Sequence, residues 1–180
     1  MHVEVLEEID HLKVLEEANT VKVMLNKGWA NIGQVGIQGH KPDLDPLKEW
    51  GSSIGRVDKL QYPETYFKYP LFELPIINRL MEKYGMLRTR IMQSDPKTCL
   101  TLHQDMTKRI HIPLITNEDC FMVIENKNYM LEVGKVYLTN TTLRHTAVNA
   151  SKHSRVHIAV SYTHLRAHET SLHLVCRLLL

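Results

Sequence analysis

Thr101-Leu102-His103-Gln104-Asp105 sets an imidazole and a carboxylate two residues apart. On a strand these two side chains point to the same face. Nitrogen and oxygen donors on one face suit a borderline divalent metal. A strand-end histidine followed by a turn aspartate is the plainer alternative. The next polar stretch is Arg109-Ile110-His111-Ile112-Pro113-Leu114. Here Arg109 and His111 share one face, and Ile110, Ile112 and Leu114 share the other. An ordinary amphipathic strand would turn Arg109 and His111 to water; turned inward, they would line a pocket. His145 lies far along the chain, in Leu143-Arg144-His145-Thr146-Ala147, and Arg155 follows it by ten residues. The segment around Arg155 again puts two polar groups, Arg155 and His157, on one face. A third imidazole would complete a set of two histidines and one carboxylate, which leaves open positions on an octahedral metal for a bidentate co-substrate and dioxygen. An arginine on a neighbouring strand is suited to fork a distal carboxylate. Arg88 and Arg90 precede this region on a shared face, where they meet either a substrate carboxylate or solvent.

Such a set needs a rigid frame, and the hydrophobic pattern supplies one. Apolar residues at Val14, Leu15, Ala18 and Val21 predict a helix over residues 10–27, with Asp10 before it and Gly28 after it. Residues 29–39 alternate loosely and read as a strand with a bend. Residues 40–71 hold four of the seven prolines and read as a long loop. A second helix is predicted over 74–84, with Pro75 in its first turn and Gly85 ending it. From Leu87 the period changes to two. Strands are predicted at 87–93, 98–104, 108–116, 120–125, 128–132, 135–139, 145–149 and 154–159. The expected fold is mainly β with N-terminal helices, a double-stranded β-helix or jelly roll of the cupin-like kind.

Composition narrows the function classes. The 180 residues carry a net charge of +2 without a basic run, which argues against nucleic acid as a partner. No apolar stretch approaches the roughly 18 residues of a membrane span, and the acidic first residues do not read as a signal peptide. Cys99, Cys120 and Cys176 form no C-x-x-C pair, so a cytoplasmic protein without a thiolate zinc site is expected. Trp29 and Trp50 read as packing aromatics. No phosphate loop, dinucleotide fingerprint or nucleophile elbow is present.

The run His-Gln-Asp, Arg-Ile-His-Ile-Pro-Leu, Gly-Lys-Val-Tyr, His-Thr-Ala-Val-Asn and Arg-Val-His-Ile resembles the non-haem Fe(II), 2-oxoglutarate-dependent oxygenases. The likeness spans about 86–159 and is to the aspartyl/asparaginyl β-hydroxylase-like branch, which includes proline hydroxylases. It implies Fe(II) on His103, Asp105 and His145, these three being also the catalytic set. It implies Arg155 on the far carboxylate of 2-oxoglutarate, with His111 and Arg109 helping to hold that co-substrate. Arg88 and Arg90 are left as candidate substrate contacts. The implied activity is hydroxylation of an amino acid, a peptide side chain or another small substrate by O2, releasing succinate and CO2. A cupin-like metalloenzyme without 2-oxoglutarate and a non-catalytic jelly-roll binding module are the alternatives.

From Val160 the sequence resembles one reading frame of a transposon-type sequencing adaptor. The expected oxygenase domain is therefore 1–159, with 1–85 as a helical and loop cover and 86–159 as the jelly-roll core. Residues 160–180 are expected to be a non-native tail. His164 and His168, whose spacing would pair them on a helix, are set aside on that ground.

Overall fold

Alternating burial along the strands makes two sheets, each with a side chain row on either face. The structure, a computed structural model, describes residues 1–24, 33–45 and 63–162. The larger sheet has six strands in the order β1 (Val3–Glu8), β10 (Lys135–Thr139), β7 (Lys108–Ile115), β12 (Arg155–Tyr162), β5 (Met86–Ser94) and β2 (Gln34–Gly36). The smaller sheet runs β6 (Thr98–Cys99), β11 (His145–Asn149), β8 (Cys120–Ile124) and β9 (Lys127–Met130). β3 (Gln38–Gly39) and β4 (Tyr69–Pro70) form a separate two-stranded ribbon. All pairings are antiparallel. This is the double-stranded β-helix expected from the sequence.

Two helices cover one face of the larger sheet. In α1 (His11–Met24), Val14, Ala18 and Val21 recur at helical spacing and are fully buried. Asp10 accepts from the Lys13 amide at 3.3 Å and caps its start. In α2 (Pro75–Lys83), Ile77, Leu80 and Met81 are buried, and Gly85 follows at φ 55°. The start of α2 has no cap of its own. Glu17 of α1 supplies one, its carboxylate accepting from the amides of Ile76 (2.8 Å) and Ile77 (2.9 Å). A carboxylate at a helix N-terminus answers both the free amides and the dipole. These helices pack on Ile91, Ile110, Ile112, Val136, Ile158 and Val160 of the sheet. The other face of the sheet looks toward the smaller sheet, where Met122, Ile124, Leu131 and Tyr137 form a second, smaller apolar cluster.

Several elements depart from the sequence expectation. β1 is a strand ahead of the first helix, where the sequence pattern predicted no element. Its apolar residues Val3 and Leu6 are three apart, so strand alternation sends them to opposite faces and into different clusters, and a bulge lies between Val5 and Glu7. The strand expected over 98–104 ends at Cys99. Leu100 still bonds Ala147, and His103 bridges His145, so three steps on one chain face two on the other. The extra residue bulges out, and the H-x-D pair sits beyond a regular strand. Cys99 is exposed and Cys120 buried. β12 continues through Val160 and Ser161, both fully buried, to Tyr162, so the folded domain reaches at least that residue. Trp29, Trp50, His164, His168 and Cys176 lie outside the described residues.

Candidate metal centre

Two parts of the smaller sheet bring the H-x-D pair to the distal histidine. The His103 and His145 backbones exchange hydrogen bonds of 3.0 and 2.9 Å. The Asp105 amide donates to Thr141 O at 2.8 Å, and the Thr141 hydroxyl to Thr107 O at 2.8 Å. Backbone pairing across about forty residues of sequence thus fixes all three Cα positions. One ligand atom from each of His103, Asp105 and His145 lies within 4.8 Å of the others. Among the described residues this is the metal-capable group found.

The donor chemistry fits a divalent metal. His103 Nδ1 donates to Thr101 O (2.6 Å) and His145 Nδ1 to Leu143 O (2.9 Å). Carbonyl oxygens only accept, so the proton sits on Nδ1 in each ring and Nε2 is left as the ligand atom. His145 Nε2 stands 3.7 Å from Asp105 Oδ2. Burial, together with nearby positive charge, holds the His145 pKa below its ordinary value, against the pull of the Leu143 carbonyl and Asp105. The ring is therefore neutral at pH 7, as a ligand must be. Burial works against ionisation of Asp105, but the Arg109 hydrogen bonds and charge outweigh it and hold the carboxyl below its ordinary range.

Arg109 is at the metal group. Its Nε and Nη2 fork Asp105 at 2.8 and 3.0 Å, and its Nη1 donates to Ser161 Oγ. It also reaches Glu64 Oε1 at 3.4 Å, and Glu64 in turn accepts from Arg88 Nη1 at 2.9 Å. Glu64, on a single 3₁₀ turn (Glu64–Tyr66), had no signal in the sequence beyond its place in the long loop. Ser161 had none either, since it fell in the stretch expected to be tail. Arg88 sits at φ 55°, in a bulge where three steps of β5 face two of β12.

Behind the metal group the larger sheet shows a polar row. Tyr137, His111, Ala159 and Arg90 are consecutive cross-strand partners. His157 and Arg155 follow on the same face of β12. The polar face thus turns toward the smaller sheet, where His111 lies within electrostatic reach of Arg155, Arg109, His145 and Asp105. Both ring nitrogens of His111 and the Nε of Arg90 are buried without a hydrogen-bond partner. Burial and the nearby Arg155 charge push the His111 pKa down to about 3. Arg155 is 7% exposed, and its guanidinium lies against the His157 ring, with both contacts at 2.9 Å. Among the described residues no carboxylate pairs with it, and burial pulls its pKa down to about 10. A buried cation beside orphaned polar atoms has the chemistry to receive an anion.

Residues 60–165 match the sequence model of the aspartyl/asparaginyl beta-hydroxylase family. The chain belongs to this family. Among curated proteins it is 27% identical over 99 residues to L-proline cis-4-hydroxylase of Rhizobium meliloti (strain 1021), covering 49% of this chain and 35% of that one. The chain thus spans about a third of the length of that relative. Among solved structures it is similar to a non-heme monooxygenase, the ThoJ–Ni complex, with a TM-score of 0.51 and 12% identity over 89% of this chain and 73% of that chain. It is also similar to an oxidoreductase of the 2OG-Fe(II) oxygenase family from Burkholderia pseudomallei, with a TM-score of 0.39 and 16% identity over 43% of this chain and 44% of that one. At 12% identity the likeness to the non-heme monooxygenase speaks to the fold alone. No helix among the described residues is long and apolar enough to cross a membrane.

Proposed function

We propose that this member of the family is an Fe(II)- and 2-oxoglutarate-dependent dioxygenase that hydroxylates an amino acid, a peptide side chain or another small substrate. The observation that carries the proposal is the buried, carboxylate-free Arg155 on the face of the larger sheet that carries His111, a ring within electrostatic reach of both Arg155 and the His145–Asp105 pair of the metal group. In balance, O2 gives one oxygen atom to a substrate C–H and the other to succinate, and 2-oxoglutarate loses CO2. Bound iron supplies the redox chemistry that activates dioxygen.

The chain's own tasks follow from its geometry. His103 and His145 present Nε2, their rings oriented by Thr101 and Leu143. Asp105 supplies the negative ligand, and Arg109 fixes its plane through the bidentate fork. Arg155 answers the far carboxylate of 2-oxoglutarate, and His111 offers a ring N–H to the same molecule. Arg109, forked on Asp105, acts on the co-substrate end of the metal group through that ligand. The apolar cluster at Met122, Ile124 and Tyr137 keeps water from the space between the metal group and the larger sheet. Three scattered cysteines, with Cys99 exposed and free, suit the cytoplasm.

The test uses Arg155→Lys. Lysine keeps the charge and loses the fork, so 2-oxoglutarate affinity of the Mn(II)-loaded protein should fall about 10- to 100-fold while Mn(II) affinity holds. An unchanged 2-oxoglutarate affinity would favour a metalloenzyme of the same fold that does not use it. L-Proline, the substrate in the relative's name, is the first compound to assay for succinate release.

A further inference from the structure

Asp105, the carboxylate of the metal group, already has a strong partner. Arg109 Nε and Nη2 engage both of its oxygens, at 2.8 and 3.0 Å. Each oxygen keeps a free lone pair, so a metal can still bind there. It would then share one negative charge with a guanidinium. A dication and an arginine on the same carboxylate compete, unless a second anion takes up part of the arginine's charge.

Glu64 is placed to be that anion. Its Oε1 stands 3.4 Å from Arg109 Nη1 and 2.9 Å from Arg88 Nη1. Arg109 is 12% exposed and Glu64 28%, so water screens the pair only in part. Burial works against ionisation of Glu64, but the Arg109 charge, the Ser161 hydroxyl and Arg88 outweigh it and hold the carboxyl below its ordinary range. Its hold on Arg109 is the weaker of the two. The Asp105 contact is short and bidentate, while the Glu64 contact is single and near the limit of hydrogen-bond range. The first has room to lengthen and the second to shorten. Backbone contacts keep Glu64 in place: the 3₁₀ turn that carries it is fastened to the β5 bulge, where the Arg88 amide donates to Phe67 O at 2.8 Å.

We propose that Glu64 is a positioning residue for the metal ligand Asp105: by sharing Arg109 it weakens the fork and leaves the Asp105 carboxylate free to take the metal. The inference rests on the metal group of the proposed function and not on 2-oxoglutarate. By linkage, a metal on Asp105 strengthens the Glu64–Arg109 pair by the same factor as Glu64 strengthens metal binding.

The experiment measures Mn(II) affinity of the full chain by equilibrium dialysis in a double-mutant cycle. Glu64→Gln keeps an acceptor oxygen for Arg88 and removes only the charge. It should weaken Mn(II) about tenfold. In an Arg109→Met background the same change should alter affinity by about twofold or less, because the route through Arg109 is gone. If Arg109→Met does not fold, Arg109→Lys replaces it, since an ammonium cannot fork Asp105 and reach Glu64 at once. Glu64→Asp, which keeps the charge, should recover part of the loss. At saturating Co(II), Glu64→Gln should shift the visible bands, because the bond from Asp105 to the metal changes. Parent-like Mn(II) affinity in Glu64→Gln, with or without a lowered melting midpoint, would make Glu64 a brace for the turn and overturn the proposal. So would an equal loss with and without Arg109, no recovery by Glu64→Asp, or superimposable Co(II) spectra. Failure of the parent to bind Mn(II) would sink the metal group and this inference together. Failure of the Mn(II)-loaded parent to bind 2-oxoglutarate would sink the proposed function alone.

Discussion

Acidifying the metal-free protein from pH 7 to pH 5 should remove at least about 2 kcal/mol of folding stability, ahead of the loss carried by Asp105 and Glu64. The cause is the pair of imidazoles on the inner face of the larger sheet. Burial first, then the Arg155 charge, holds His111 at about 3 and His157 well below 6.5. In the unfolded chain each ring titrates near 6.5. Below that value the unfolded state takes up protons that the native rings refuse. The sign is therefore fixed: the contribution is complete above pH 6.5 and is lost as pH falls toward the folded values. At roughly 1.4 kcal/mol per pH unit, the His111 ring alone costs about 2 kcal/mol by pH 5, and His157 acts in the same direction. For a domain of this size, about 2 kcal/mol is a drop of roughly 4–8 °C in melting midpoint. Asp105 and Glu64, whose folded pKa values are lowered, act in a separate window, because their contributions hold above about 4 and fade below it. Thermal melts followed by circular dichroism, in chelator from pH 8 to pH 5, measure the slope. His111→Gln should remove about 2 kcal/mol of the loss. A midpoint that stays flat over this range, or rises on acidification, would refute the burial of these two rings.

Three further outcomes are expected. Alanine at His103, Asp105 or His145 should each abolish stoichiometric Mn(II) binding in equilibrium dialysis, since the three donors act as one set; retention by all three variants would dismiss the group. Glu17→Ala should lower stability by about 1 kcal/mol in urea melts, because the two amides that open α2 lose their acceptor, and an unchanged midpoint would show the cap to be idle. Ending the chain after Ala159 should cost at least about 2 kcal/mol relative to ending it after Tyr162, because Val160 is fully buried in the core and Ser161 binds Arg109; equal melting midpoints would place the domain boundary earlier.

The sequence by itself determined most of the strands from Leu87 onward, since each is a local period-two pattern cut by turn residues; the strand expected over 98–104, which stops at Cys99, is the exception. It also determined the candidate ligands, because H-x-D, the distal His145 and Arg155 are legible as spacing. Alternation along Arg109–Leu114 showed that the two faces of β7 differ, but not which face meets water. Both are covered: Ile110 and Ile112 by the helices, His111 by the second sheet. That choice belongs to the stacking of whole layers, which no local pattern encodes. Tertiary structure alone decided the rest for the same reason. The bulges at His103 and Arg88 arise from unequal pairing between strands distant in sequence. The Glu17 cap and the Glu64 bridge to Arg88 and Arg109 join residues 24 to 60 positions apart. Arg88 and Arg90 look alike in sequence, two positions apart on one strand. Only the fold gives a carboxylate to the first and leaves the second with a neutral glutamine, because the bulge turns Arg88 toward a loop that the strand pattern does not specify.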